Sequence, residues 1–332
     1  MIRYGILGFG LHAVKRLVPA FAAAKDSTLI GLWRRDPKKA HTNAQDYGID
    51  KVLANADDLC ASQDVDVVFV TSPDAFHMRD TLLALQHKKP VLCEKPLAMH
   101  AEEVERMLTA ARSANVLFGV AQNFRYTRSV NLIRDWVQAG RIGKPIFASA
   151  HYYSQSGQSL RAWIHDPAVA CGGAIGDIGI HCLDALRFIL QDEVASVSTL
   201  AQRDAQSGAV EAHAAITMEF TRGTIGSVMV SAHAEYRTLV EVIGESGVIR
   251  SENCFSGLGL VDVQLLLSGK VMDSQQVSNS DAHTRMLDAF SAAVEGRGSY
   301  SATGEDGLKN QRILDAAYTS WHSGKKEVLS TL

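Results

Sequence analysis

The sequence predicts an α/β protein in two parts: a doubly wound parallel sheet, then an α+β domain with a large, mostly antiparallel open sheet. Three observations carry that expectation. A chain of 332 residues exceeds the size at which a single core keeps growing, so two domains follow. Over the first 122 residues short β-branched runs alternate with longer amphipathic ones, which implies parallel strands joined by helical crossovers. Beyond residue 123 strand-like runs follow one another across turn-length gaps, the mark of antiparallel pairing. Domains are therefore expected at 1–122 and 123–332.

In the first part "IRYGILG" (2–8), "TLIGLW" (28–33), "VDVVFVT" (65–71), "PVLCE" (90–94) and "VLFGVAQ" (116–122) read as strands. They are apolar almost throughout, as strands covered on both faces must be. The runs between them, "HAVKRLVPAFAAA", "DPKKAHTNAQDYG", "DAFHMRDTLLALQHK" and "MHAEEVERMLTAARSAN", have helical spacing. Pro19 inside the first helix removes a donor, and a kink or an early end is expected there. In the second part a helix ("SVNLIRDWVQAG"), a strand ("IFASAHYY") and a helix ("GDIGIHCLDALRFIL") precede the strand series from "EVASVSTLAQ" to "LVDVQLLLSGKVMDSQQV". Two helices, "AHTRMLDAFSAAVEG" and "GEDGLKNQRILDAAYTSWHSG", close the chain.

A net charge of −3 with 46% hydrophobic residues gives no electrostatic footprint for nucleic acid or a membrane surface. Cys60, Cys93, Cys171, Cys182 and Cys254 are odd in number and lack C-x-x-C spacing, which argues against a disulfide framework or a zinc site. No apolar run reaches spanning length and "MIRYGILGFG" opens on a strand, so a cytoplasmic protein is expected.

Gly8-Phe9-Gly10-Leu11-His12-Ala13 joins the first strand to the first helix and has the G-x-G-x-x-A form of a dinucleotide fingerprint. Gly8 would allow the tight turn, Gly10 would let backbone approach a pyrophosphate at the helix N-terminus, and small Ala13 would keep helix and sheet close. The second strand ends at Trp33 and is followed by Arg34 and Arg35. An acid at that point binds the ribose diol of NAD, whereas arginine accommodates the 2′-phosphate of NADP. Two guanidinium groups suit bidentate pairing with a phosphate. NADP(H) is the expected cofactor, with NAD(H) kept open by Asp36 two residues on.

In "CGGAIGDIGIHCLDALRF" (171–188), a helix from about Gly176 sets Asp177, His181 and Asp184 on one face, at i, i+4 and i+7. The spacing admits three readings. His181 is a structural hydrogen-bonding group, or the three residues ligate a metal, or His181 is a general acid/base that Asp177 orients or assists by gripping substrate.

The landmarks together resemble the glucose-fructose oxidoreductase, inositol dehydrogenase and MocA family along essentially the whole chain. The nucleotide loop comes first, then "TSPDAFH" (Thr71, Ser72, Pro73 to His77), which is similar to the family's T-P-N-x-x-H segment. Glu94-Lys95-Pro96 matches its E-K-P signature, and "GGAIGDIGIHCLD" its G-G-G-x-x-x-D-x-G-x-H-x-x-D stretch. Two departures are Cys171 in place of the first glycine and Asp74 in place of the asparagine.

The resemblance implies a Rossmann-type nucleotide domain and an oxidoreductase acting on a sugar, polyol, inositol or keto form. It implies that Lys95 and His181 are catalytic beside the nicotinamide, with Asp177 as substrate ligand. Lys95 would stabilise negative charge on the substrate oxygen while His181 moves the hydroxyl proton, and no metal is required. Thr71, Ser72, Pro73, His77 and Glu94 would lie along the cofactor. Asn123, Arg161 and Trp163, with Tyr152 and Tyr153, suit a polyhydroxylated substrate, or else are core. The resemblance also implies a homodimer or homotetramer through the open sheet face. A redox-neutral lyase or glycosidase of the same family, and a nucleotide-sensing protein without catalysis, remain alternatives.

Overall fold

The structure is a computed structural model that describes residues 1–155 and 162–329. By contact the chain divides into two compact units. The first comprises Met1–Gln122, Ala168–Cys171 and His283–Gln311, and the second the remainder.

The first unit is built on a six-stranded parallel sheet in the order β3-β2-β1-β4-β5-β6. Its strands are β1 (Ile2–Leu7), β2 (Ser27–Trp33), β3 (Lys51–Val52), β4 (Val67–Val70), β5 (Val91–Cys93) and β6 (Phe118–Val120). Tyr4, Ile6, Leu7, Phe69 and Leu92 are fully buried in it, and each large apolar side chain so buried contributes roughly 1.5–3 kcal/mol. The helices α2 (Pro37–Tyr47), α3 (Ala56–Ala61), α4 (His77–Gln86) and α5 (Ala101–Ala114) alternate with the strands. The short β3 and α3 carry too few periodic residues to stand out in the sequence.

The first helix does not end at Pro19. Residues Ala13–Leu17 form a π turn that leads into α1 (Val18–Ala23), with the Val18 amide donating to Ala13 O. A wide turn placed just before the proline lets the helical path continue past the missing donor.

The second unit holds a nine-stranded sheet in the order β14-β13-β12-β11-β7-β10-β9-β8-β15. Its strands are β7 (Pro145–Tyr153), β8 (Val194–Gln202), β9 (His213–Phe220), β10 (Ile225–Ser231), β11 (Arg237–Gly244), β12 (Val248–Glu252), β13 (Leu260–Leu267), β14 (Lys270–Ser278) and β15 (Glu327–Val328). Every neighbouring pair is antiparallel except β7 with β10. The helix α7 (Ile180–Leu190) packs on β7 and β10, and α6 (Arg128–Gln138) on β12, β13 and β14. That covered face takes the buried residue of each alternating pair. On the other face Phe147, Ile225 and Ile243 lie opposite one another in register and are exposed. The closing helices are α8 (Ala282–Val294) and α9 (Gly304–Ser323). Among the described residues no helix is long and apolar enough to cross a membrane, and all five cysteines are buried and unbridged.

Candidate active site

The carboxyl ends of β1, β4 and β5 carry the first group of candidate residues. Gly8 follows β1 with φ +83°, and a Cβ there would lie 2.5 Å from Ser72 N. The chain thus approaches itself too closely for any side chain, at the point where the strand order reverses direction. The Thr71 hydroxyl donates to Gly8 O at 3.1 Å and closes the approach. A Cβ on Gly10 would meet only Gly8 O, at 3.6 Å, so the backbone there is open to a ligand. Phe9 and Ala13 are buried, whereas Leu11 and His12 are half-buried. Open amides at the start of a helix fit a pyrophosphate, so the residues present suit a dinucleotide.

Glu94 and Lys95 follow β5. Glu94 Oε1 lies 2.9 Å from His12 Nε2, and Glu94 Oε2 accepts the Lys95 amide at 3.2 Å. Burial opposes the Glu94 charge, but His12, with lesser help from Lys95 and His283, outweighs it and lowers the pKa to about 2. Burial, reinforced by His12, lowers His283 to about 4. The Lys95 side chain is half-buried and the Lys95–Pro96 peptide is cis.

His77 is buried, and its two ring nitrogens lie 2.7 Å from Ser72 O and 2.8 Å from Pro96 O. Two carbonyl acceptors require both nitrogens to donate. Burial opposes the charged ring, yet Cys93, Asp74 and the Pro96 carbonyl raise its pKa to about 10. His77 therefore acts as a strut that ties the Thr71–Pro73 segment to the lysine turn. The Ser72 hydroxyl is held by Asp80 at 2.7 Å.

The two departures from the family pattern meet. The Cys171 amide donates to Asp74 Oδ2 at 2.9 Å, with both residues buried. An acidic residue serves as acceptor here, and the cysteine side chain packs under Gln311, whose Nε2 is 3.3 Å from Sγ.

Arg34 donates to Asn43 Oδ1 at 2.7 Å, and the Arg35 guanidinium lies 6.0 Å from the Phe76 ring centroid. Asp36 caps α2 by accepting from Lys39 N at 3.1 Å, which engages the acid that kept NAD(H) open.

The second group lies within the second unit. Residues Ile175–Gly179 form a π turn that contains Asp177 and leads directly into α7. Asp184, three residues after His181 on α7, is held by an ion pair. Both of its oxygens accept from Arg125, at 2.8 and 2.7 Å, and the two side chains are 1% and 4% exposed. This bidentate pair anchors α7 to the 3-10 turn Asn123–Tyr126.

His181 is 7% exposed and its ring packs 4.5 Å from Phe124, which stacks on Phe255 at 4.7 Å. Tyr152 joins this cluster, 6.0 Å from Phe255. Adjacent strand residues point to opposite faces, so Tyr153 departs from it and lines the open face beside Leu200, His213 and Met229. Asn123 and Trp163 are half-buried in short turns, and Arg161 lies outside the described residues.

The chain before Asp177 is held by a residue no motif announces. Glu211, 2% exposed, accepts from Gly173 N at 3.0 Å, Ile175 N at 2.8 Å and the Tyr318 hydroxyl at 2.9 Å. A Cβ on Gly173 would lie 1.9 Å from Glu211 O, so glycine is required for that approach. Burial raises the Glu211 pKa and these donors only partly offset it.

Comparison with known proteins places these observations. Residues 2–122 match the model of an oxidoreductase family with an NAD-binding Rossmann fold, and residues 130–250 match the GFO/IDH/MocA C-terminal domain. The chain is 30% identical over 310 residues to 1,5-anhydro-D-fructose reductase of Ensifer adhaerens, covering 93% of this chain and 92% of that one. Its fold superposes on aldose-aldose oxidoreductase from Caulobacter crescentus with a TM-score of 0.90 at 24% identity, over 99% of both chains. A levoglucosan dehydrogenase, in complex with NADH and levoglucosan, superposes with a TM-score of 0.89 at 21% identity, over 99% of this chain and 100% of that one.

Proposed function

The chain belongs to the GFO/IDH/MocA oxidoreductase family, and from that premise we propose that it is an NADP(H)-dependent enzyme moving hydride between the nicotinamide and a sugar, polyol, inositol or keto sugar. The cofactor supplies the hydride acceptor or donor. The observation that carries the reading is the Glu94-Lys95-Pro96 turn at the carboxyl edge of the sheet, tied through His77 to the segment against which Gly8 packs.

Gly10 and the amides after it would hold the pyrophosphate, with Gly8, whose amide bonds Trp33 O, shaping the turn and Thr71 and Ser72 alongside. Lys95 donates to the substrate oxygen and stabilises the negative charge that develops there. His181 takes or returns the hydroxyl proton, and Asp177 binds substrate. Asn123 and Trp163, with the aromatic cluster around Phe124, suit the alternating polar and apolar faces of a sugar. The name of the Ensifer adhaerens relative makes 1,5-anhydro-D-fructose the first compound to assay.

Arg34 and Arg35 support NADP(H), because Asp36 is committed to its helix cap. A hydrogen bond to a charged group contributes around 1.5–3 kcal/mol, so one phosphate contact favours NADP by roughly tenfold to a hundredfold. Arg34→Asp should reverse the ratio of kcat/KM for NADP over NAD, and a wild-type ratio below one would remove this part of the reading. The exposed Phe147, Ile225 and Ile243 support a homodimer or dimer of dimers through the open sheet face. Light scattering at micromolar concentration tests it, and a monomeric mass would contradict it.

The central test is Lys95→Met, which keeps volume and removes charge. Turnover should fall at least about a hundredfold, the loss of roughly 3 kcal/mol of oxyanion stabilisation, while nucleotide affinity changes far less. His181→Asn should lower turnover comparably and erase a limb of the pH-rate profile. Near-native turnover of both variants on a true substrate would reject the assignment.

A further inference from the structure

Three polar side chains converge at one end of the nine-stranded sheet, where the β8–β9 connection, the start of β9 and the residues after β10 lie side by side. They are Asp204, His213 and His233, and one ligand atom from each lies within 4.8 Å of the other two. His213 Nε2 is 3.5 Å from Asp204 Oδ2, and His233 Nδ1 bonds the same oxygen. We propose that this cluster is a divalent transition-metal site, selective for zinc-like ions, with Asp204, His213 and His233 as ligands and water completing the coordination.

The surroundings are those of a ligand set rather than of a chance ion pair. Asp204 Oδ1 accepts from Gln206 N at 2.8 Å and Ser207 N at 2.7 Å, which fixes the carboxylate and leaves Oδ2 toward the two rings. Ser231 Oγ lies 2.9 Å from His213 Nδ1 and accepts the His233 amide at 3.1 Å, so one hydroxyl orients both ligand-bearing positions. Metal-bound imidazoles are held through their second nitrogen in this way.

His233 supplies an independent observation. Its side chain is 8% exposed, and its Nε2 is buried without a hydrogen-bond partner among the described residues. Coordination through Nδ1 places the ring proton on Nε2, and His233 also lines a cavity of about 20 Å³. The His213 side chain is 41% exposed and Asp204 27%, which leaves an entry path and lets His213 rotate inward to a bond length near 2.0–2.1 Å. Two imidazoles and one carboxylate suit zinc, and oxygen-seeking magnesium or calcium far less. The site would pin three strand ends together.

The experiment uses the full chain, stripped with a chelator, dialysed and free of any histidine tag, titrated with Zn²⁺ by calorimetry. A cobalt titration read by visible absorption is run beside it. About one equivalent should bind, cobalt should give the bands of a four-coordinate site, and the melting temperature should rise with the ion. Asp204→Asn and the half-exposed His213→Gln should each weaken binding at least about tenfold while circular dichroism and nucleotide affinity stay as in the wild type. No binding by the wild type would overturn the proposal. Equal binding by both variants would overturn it as well, by placing the ion elsewhere. Neither result bears on the hydride-transfer reading, which Lys95→Met tests separately.

Discussion

The Gly8 turn in the first unit and the 172–181 segment in the second each fix their backbone closely, the first by steric exclusion and the second with buried polar groups added. At Gly8 the constraint is steric, since a left-handed φ and the Ser72 backbone after β4 leave space only for glycine. At 172–181 a steric demand at Gly173 is joined by buried polar bonds. Glu211 gathers the Gly173 and Ile175 amides, and Arg125 fixes Asp184. Steric requirements leave a residue type behind at a fixed spacing. A buried acid far along the chain leaves no local mark.

The largest effect should come from breaking the polar anchor. Asp184→Asn leaves Arg125 charged and buried, and removing one partner of such a pair costs about 3–5 kcal/mol. Urea unfolding should show it, and Arg125→Met combined with Asp184→Leu should recover much of the loss. Similar loss in the double variant would mean that packing, not the uncompensated charge, is the source.

The steric anchor should be softer in stability and sharper in binding. Gly8→Ala forces a side chain into a left-handed position against backbone and should cost about 1–3 kcal/mol. Nucleotide affinity should fall at least about tenfold, because the turn that aims the Gly10 amide is displaced. Unchanged affinity measured by fluorescence titration would show that this turn does not shape the nucleotide loop.

The smallest effect is electrostatic. Glu94 has a folded pKa lowered to about 2 from an ordinary 4.5, so its contribution is present above the unfolded value and is lost as pH falls through that window. The unfolding free energy of the wild type should exceed that of Glu94→Gln near neutral pH by an amount on the order of 1 kcal/mol, a gap that closes between about pH 4.5 and 2. A gap independent of pH would assign it to packing.

Much of the first unit was legible because its signals are local. Continuous apolar strands, helical crossovers and the Gly8-Phe9-Gly10 turn each follow from a period or a steric demand, and the parallel sheet and the antiparallel second sheet form where those patterns stand. The spacing also sets Asp177, His181 and Asp184 on one helical face. The folded chain adds their settings, since Asp177 lies in a π turn and Arg125 holds Asp184.

By itself, then, the sequence determined the two sheets, the nucleotide turn and the family, since each is written within a few neighbouring residues. Tertiary structure alone decided that His77 braces the lysine turn, that Asp74 and Cys171 bond to each other, and that Glu211 supports the segment before His181. It alone brought Asp204, His213 and His233 together. The physical reason is common to all of these. A buried hydrogen bond is fixed by which strands pair and which loops cross, and residues that meet only through such pairing carry no spacing that a linear reading can find.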